Sequence, residues 1–379
     1  MTDAGTLATM NRAARESSVV GALDDANWRG TALGLLTVRV VHGFIYWGGG
    51  SRRFIFDPEK LDPSAHNWMA NKLQDAMPGA LFGTDQAISF LLKHFDLLYA
   101  TIIVFSAAEL LAGMMLIVGF MTRAAACASL GFSIALMVMF GWIGAVCLEG
   151  WTMAACNIAM ACALMLNGSG AYSLDNLLLR RRLHMATHRW FRWTTGSLPL
   201  PLSEGTFQKL ALLDFFLATI FVVGLYSHYR GAVLTSFHPG PVSPSVTHFS
   251  VGNARVSENF VSLHAYLDAG TPEAPAFIVE AAVEDGSGKI LARWGAAQLA
   301  ALPSDHIKNE YAYNQVVPGP HGLIARMGAK AEIRLPLEHS LPATAPNAVV
   351  RLIVVDGQSF RADLKMDDVN SSSQAEKQR

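Results

Sequence analysis

The chain has 379 residues, of which 51% are hydrophobic and only 16% charged, whereas a soluble globular domain carries about a quarter charged residues. With a net charge of −1, nothing in the charge balance points to nucleic acid. All four cysteines lie between Cys127 and Cys162, so no disulfide framework staples the C-terminal part.

A polar leader, residues 1–29, comes first, and the absence of a small-residue cleavage site after it argues against a removable signal. Five apolar windows follow at Gly30–Gly48, Leu98–Met121, Ala124–Cys147, Trp151–Gly168 and Leu210–Tyr229. A spanning helix needs roughly 20 mainly apolar residues. Burying five such runs in a soluble core would require a polar shell that this chain lacks. The expectation is a mainly α membrane protein: a four-helix transmembrane bundle over residues 30–175, a basic loop over 176–209, a fifth spanning helix over 210–229, and a C-terminal domain over 230–368.

Basic residues set the orientation. Arg12, Arg15 and Arg29 in the leader, Arg123 after the second window, and Arg180, Arg181, Arg182, Arg189, Arg192 and Lys209 before the fifth alternate onto one side. That side is expected to be the cytoplasm, with the C-terminal domain outside the cytoplasmic membrane and Trp47 and Trp151 at the outer interface. The loop over 49–97 opposes this least clearly: Arg52, Arg53, Lys60, Lys72 and Lys93 are offset by six acids. Within it, His66–Met77 and Asp85–Phe95 read as short helices, the second capped by Thr84.

Past Arg230, a Pro-rich stretch, Phe237-His238-Pro239-Gly240-Pro241-Val242-Ser243-Pro244, leads into alternating segments at Phe260–Leu267, Ala276–Val283, Ala331–Leu337 and Val349–Val355. Turns such as Glu284-Asp285-Gly286 and Asp356-Gly357 bound them, the pattern of a small β-sandwich. Val369–Arg379 is polar and low in complexity, as a disordered tail would be.

Ionisable residues inside a bilayer are costly and become functional candidates by default. Arg39 and His42 share a face of the first helix, and Glu109 sits in the second. Counted along the windows, Arg39 and Glu109 reach a similar depth, so an ion pair that fixes helix packing is one reading. A polar pocket for a quinone head group, with Arg39 or His42 donating to a carbonyl and Glu109 relaying protons, is the other. Asp214 reads as a packing or interfacial residue. Gly48-Gly49-Gly50 before Arg52 and Arg53 is either a helix stop or an anion-binding turn, to which Lys93 and His94 would add positive charge. Cys147 and Cys156 flank a short turn and either form a redox disulfide or act as small hydrophobes, as Cys127 and Cys162 do. Covalent haem has no C-x-x-C-H, a dinucleotide has no G-x-G-x-x-G after a strand, and the histidines lack metal-ligand spacing.

The stretch Arg39-Val40-Val41-His42-Gly43-Phe44-Ile45-Tyr46-Trp47-Gly48-Gly49-Gly50-Ser51-Arg52-Arg53 resembles the first helix of the DoxD/DoxX membrane family. Glu109-Leu110-Leu111-Ala112-Gly113, Gly119-Phe120-Met121-Thr122-Arg123 and Asn167-Gly168-Ser169-Gly170-Ala171-Tyr172-Ser173-Leu174-Asp175 continue the likeness, and the fifth helix with the β-rich part resembles DoxA. The whole resembles thiosulfate:quinone oxidoreductases of a fused DoxD/DoxA type. The resemblance implies oxidation of thiosulfate to tetrathionate with a diffusible membrane quinone as acceptor, and no haem, flavin or metal is evident in the sequence. Arg39, His42 and Glu109 would then meet the quinone. Arg52, Arg53, Lys93 and His94 would hold thiosulfate, and Cys147 and Cys156 would carry sulfur through a disulfide. A homo-oligomer is compatible with this reading. The alternatives are a quinone-linked thiol oxidant, a non-catalytic membrane scaffold whose β domain docks a partner, and, less favoured without an inverted repeat, a sulfur-oxyanion transporter.

Overall fold

A computed structural model of the chain describes residues 25–143, 149–231, 246–257, 259–272, 274–342 and 347–366, together with residues 14, 17, 18, 21 and 236. The expected disordered tail and most of the Pro-rich stretch lie outside the described residues. The chain divides into two compact units, one of residues 1–68, 96–141 and 148–238, the other of 69–95, 142–147 and 239–379.

The first unit is helical. Its long helices are α1 (Ala26–Ser51), α2 (Phe95–Val118), α3 (Thr122–Phe140), α4 (Glu149–Asn167) and α5 (Glu204–Arg230). Asp25 caps α1 by accepting from the Trp28 amide at 2.8 Å, and Ser203 caps α5 through the Thr206 amide at 3.3 Å. Of the five expected spans, α2, α3 and α5 are long and apolar enough to cross a membrane, while the apolar part of α4, Trp151–Asn167, is shorter. Glycines, Arg39 and His42 dilute the apolar character of α1. α5 buries only Leu225 and Tyr229 and exposes Leu212, Leu213, Phe215, Phe216, Leu217 and Ile220. Such a surface suits hydrocarbon and not water.

The glycines of α1 set its distance from α2. A Cβ on Gly43 would lie 2.8 Å from the Ile117 nitrogen, one on Gly50 would lie 2.6 Å from that of Leu110, and one on Gly113 would strike the Trp47 backbone. Small residues at these crossings let two membrane helices touch along their backbones. The expected glycine stop is therefore replaced by a packing stripe. α1 runs through Gly48–Gly50 and continues as a π-helical turn, Arg52–Phe56, closed by the Asp57 amide on the Arg52 carbonyl at 2.6 Å.

The second unit is built on ten strands: β1 (His248–Val256), β2 (Phe260–Ala269), β3 (Ala276–Glu284), β4 (Ile290–Gly295), β5 (Ile307–Asn309), β6 (Val316–Gly319), β7 (Gly322–Ala325), β8 (Lys330–Pro336), β9 (Val349–Val354) and β10 (Ser359–Met366). They form one path, β5-β8-β2-β1-β10-β9-β3-β7-β6, with β4 on β3. The expected sandwich is instead a single nearly closed sheet. A parallel pairing of β1 with β10, Ala254 opposite Leu364, joins what would be two separate faces. The ends of the path meet at Asn309, whose Nδ2 donates to the Val316 carbonyl at 3.0 Å and whose Oδ1 accepts from the Val316 amide at 2.8 Å. Along β2, Val261, Leu263, Ala265, Leu267 and Ala269 point inward, the period-2 pattern of a half-buried strand.

Part of the chain between α1 and α2 belongs to this β unit rather than to the helices. A helix at Met69–Ala76 and another at Thr84–Leu92 sit where two were expected, although the cap of the second is Gly83 in the left-handed region and not Thr84. Trp142, just past α3, joins them: its Nε1 donates to the Ala76 carbonyl at 2.8 Å.

Candidate functional site

The buried charge of α2 is Glu109, 7% exposed, and its partner is Arg53 from the π-helical turn. Arg53 Nη1 bonds both Glu109 Oε2 and, at 3.4 Å, the Ser106 hydroxyl. Gly49 makes room for this carboxylate, because a Cβ there would strike Glu109 Oε1. The expected Arg39–Glu109 pair is thus not formed. A first helix that ends at Gly48 would set Arg39 at the depth of Glu109. In fact it extends beyond that point, and the Gly50–Leu110 contact brings Arg53 rather than Arg39 opposite Glu109.

Further along α1 lies a second polar group. His42, fully buried, places Nε2 2.9 Å from the Ser129 hydroxyl of α3. Tyr46, one turn on, donates to the Ser129 carbonyl at 2.9 Å and meets the Ser133 hydroxyl at 2.5 Å. The single Ser129 hydroxyl proton can go to the Ala126 carbonyl, 2.8 Å away, or to His42 Nε2, and that choice sets which imidazole nitrogen carries the hydrogen. Buried Asn157 of α4 is close enough to act on the imidazole, and among the described residues neither His42 Nδ1 nor Asn157 Oδ1 has another hydrogen-bond partner. A neutral His42 therefore presents one N–H donor and one bare nitrogen acceptor at this point of the bundle.

Arg39 points to the other end of the bundle. Its Nη1 donates to the Ser169 carbonyl at 3.3 Å and packs over Gly119. Beside it, Asp175 accepts from the amides of Met121 at 2.9 Å, Thr122 at 3.2 Å and Gly196 at 3.1 Å. Burial raises the pKa of this carboxyl, against the hydrogen bonds that lower it. Arg123 donates to four carbonyls, those of Met165, Arg192, Thr195 and Leu198.

The family described as TQO small subunit DoxD matches residues 35–202, and that described as TQO small subunit DoxA matches residues 229–363. The chain belongs to the fused DoxD/DoxA type of thiosulfate:quinone oxidoreductase. No solved structure matches it.

In this DoxD–DoxA fusion the short DoxD-like stretches converge for two different reasons. Gly119–Arg123 and Ser169–Asp175, with Arg39, build the buried knot around Asp175, whereas His42, Tyr46 and Glu109 face the interior of the bundle. Sequence reasoning missed Tyr46, Ser106, Ser129, Ser133 and Asn157. Ser129 and Ser133 are four apart on an apolar helix, and that spacing was the available signal.

The four residues expected to hold thiosulfate are distributed between the two units of the fusion. Arg52, with a side chain 65% exposed, is 3.8 Å from Asp57, and Arg53 is committed to Glu109. In the β unit, Lys93 bonds Glu310 at 2.7 Å and lies 5.6 Å from the centre of the Tyr311 ring. His94 places Nδ1 2.7 Å from the Phe90 carbonyl. Cys156 lies on an exposed face of α4, and Cys127, expected to be buried, is exposed; Cys162 is buried as expected. The expected partner of Cys156, Cys147, lies outside the described residues. Among the described residues, no cluster of three or more His, Cys, Asp or Glu could hold a metal ion.

Proposed function

We propose that this chain joins two thiosulfates as tetrathionate and passes the two electrons, with two protons, to a membrane quinone. The observation that supports it best is the row of buried polar side chains, Arg53–Glu109, Tyr46–Ser133 and His42–Ser129, inside a bundle of the DoxD type whose outer faces are apolar. Quinone lives in lipid and must be protonated as it is reduced. Glu109 is the acid that supplies protons from the Arg53 end. His42 Nδ1 is the acceptor for a quinol hydroxyl and, once protonated, the donor to a quinone carbonyl. Arg39 orients α1 through Ser169 and does not touch the quinone.

Thiosulfate is a dianion, and bringing two together costs about 1 kcal/mol per pair of unit charges at 4 Å in water and several times more in a drier site. Fixed cations are needed. Arg52 is the least engaged of the four candidates and makes the first contact; Arg53, Lys93 and His94 already serve a carboxylate or a carbonyl. Sulfur passes through Cys147 and Cys156: thiosulfate opens their disulfide to a thiosulfonate and a thiolate, a second thiosulfate displaces tetrathionate, and the dithiol reduces quinone to quinol while the disulfide re-forms.

All five long helices span the membrane in this proposal. Trp142 bonds Ala76, and the Met69–Ala76 helix bonds the β unit through Gln74 and Asn314, so three segments share one compact unit. A polar domain does not cross a bilayer, so the three lie on one side. Were α5 the sole crossing between Trp142 and β1, they would lie on opposite sides. Two crossings, α4 and α5, restore the same side. The basic leader and the loop before α5 make that side extracytoplasmic, in the cytoplasmic membrane.

Purified membranes given thiosulfate and a soluble quinone analogue should reduce the quinone and form one tetrathionate per quinol. Reduction by dithiols alone would replace this reading with a thiol oxidant, and no redox change with either donor would replace it with a scaffold.

A further inference from the structure

We propose that the segment between α1 and α2 is a docking surface for the DoxA-like β domain, one that retains the domain even when the covalent link after α5 is cut. The inference does not rest on the reaction proposed above.

Gln74, on the Met69–Ala76 helix, is fully buried against the β domain. Its Nε2 donates to the carbonyls of Asn314 and Gly328, both at 2.8 Å, and its Oε1 accepts from the Asn314 amide at 2.9 Å. Asn314, 3% exposed, returns the grip: its Nδ2 reaches Asp75 Oδ1 at 2.7 Å, the Asn71 carbonyl at 3.1 Å and the Met327 carbonyl at 2.8 Å. Two amides thus satisfy one another and the nearby backbone with both donors of Gln74 in use. Buried amides are tolerated when fully bonded and are costly when not, so separation of the two surfaces is opposed. Gly328, at φ +74°, lets the backbone come against the Gln74 carbonyl, which any side chain there would strike. At the rim, Ser89 bonds Tyr311 at 2.8 Å, and Glu310 sits between Lys93 and Lys330, each at 2.7 Å.

This surface joins the DoxD-matched stretch to the DoxA-matched one. A tether alone would require no such lock. The lock recognises shape and amide geometry rather than charge, so its partner is a β domain that carries an asparagine at the position of Asn314 and a glycine at that of Gly328.

The test uses the full chain with an N-terminal affinity tag and a protease recognition sequence inserted between Gly240 and Pro241. Cleavage in detergent is driven to completion, as read on a denaturing gel, and the tagged half is captured. The C-terminal fragment should stay bound in equimolar amount through a high-salt wash; its appearance in the flow-through overturns the proposal. Gln74→Glu keeps the size of the side chain but sets an acceptor-only carboxylate against two carbonyls. It should release the cut fragment at least tenfold faster, and release equal to that of the parent overturns the amide lock. Where Gln74→Glu fails to accumulate, the rim variant Lys93→Gln with Lys330→Gln decides. Retention reduced only a few-fold supports the lock, and complete release places the hold in the rim charges and overturns it.

Discussion

Removing one partner of the Arg53–Glu109 pair leaves the other charge stranded, and the size of the effect follows from burial. The two side chains are 15% and 9% exposed. Truncating one member of a buried pair costs about 3–5 kcal/mol, a large share of the 5–15 kcal/mol that separates folded from unfolded states. Arg53→Met alone and Glu109→Leu alone should each lower the melting temperature in detergent by on the order of 10 °C. The double variant replaces the pair by apolar side chains and should return to within about 1 kcal/mol of the parent. Thiosulfate-dependent quinone reduction is then measured on this stable double variant. If Glu109 handles protons, turnover stays at least a hundredfold down although stability is restored. Parental turnover in the double variant would show that the pair only fastens α1 to α2, and single variants as stable as the parent would refute the buried geometry itself.

Gly113→Val must push α1 away from α2, because even a Cβ there strikes the Trp47 backbone, and should cost about 1–3 kcal/mol or more. Gly131→Ala, with nothing within 4 Å, is the control and should leave the melting temperature unchanged or slightly higher. Ser129→Ala removes the hydroxyl that holds His42 Nε2 and should raise the KM for the quinone analogue several-fold while leaving the KM for thiosulfate unchanged. Cys147→Ala with Cys156→Ala should abolish tetrathionate formation, and full turnover would rule out the disulfide route. Burial acts to raise the pKa of Glu310, but Lys330 and Lys93 hold it below the usual carboxylate range. Its bonds to them therefore stabilise docking above that range, and the contribution is lost as pH falls through the lower folded value. Release of the cut β fragment should accelerate on going from about pH 5 to pH 3, and less so in Glu310→Gln.

Much of the helical framework was legible because apolar length is a local property. The windows over α2, α3 and α5 coincide with helices long enough to span, and β2, β3, β8 and β9 start within a residue of the alternating segments expected for them. What was not legible is register. The offset of α1 against α2 is set by where glycines permit contact, and no spacing in the sequence states which glycine meets which turn. For the same reason Arg53, and not Arg39, pairs with Glu109. The closure of the sheet depends on β10 pairing in parallel with β1, a contact between the two ends of the domain that local alternation cannot encode. Tyr46 and the two serines passed unnoticed because each is unremarkable alone and becomes a group only when α1 meets α3.

The seam of the β domain has a further consequence. One carboxamide, that of Asn309, takes both the N–H and the C=O of Val316, where β6 could begin pairing with β5 or with a strand from elsewhere. A sheet whose outermost strands remain open invites a neighbour to continue it. Here a side chain stands in for the missing strand, so a neighbouring copy finds no free backbone pair at Val316 from which zippering along this seam could start.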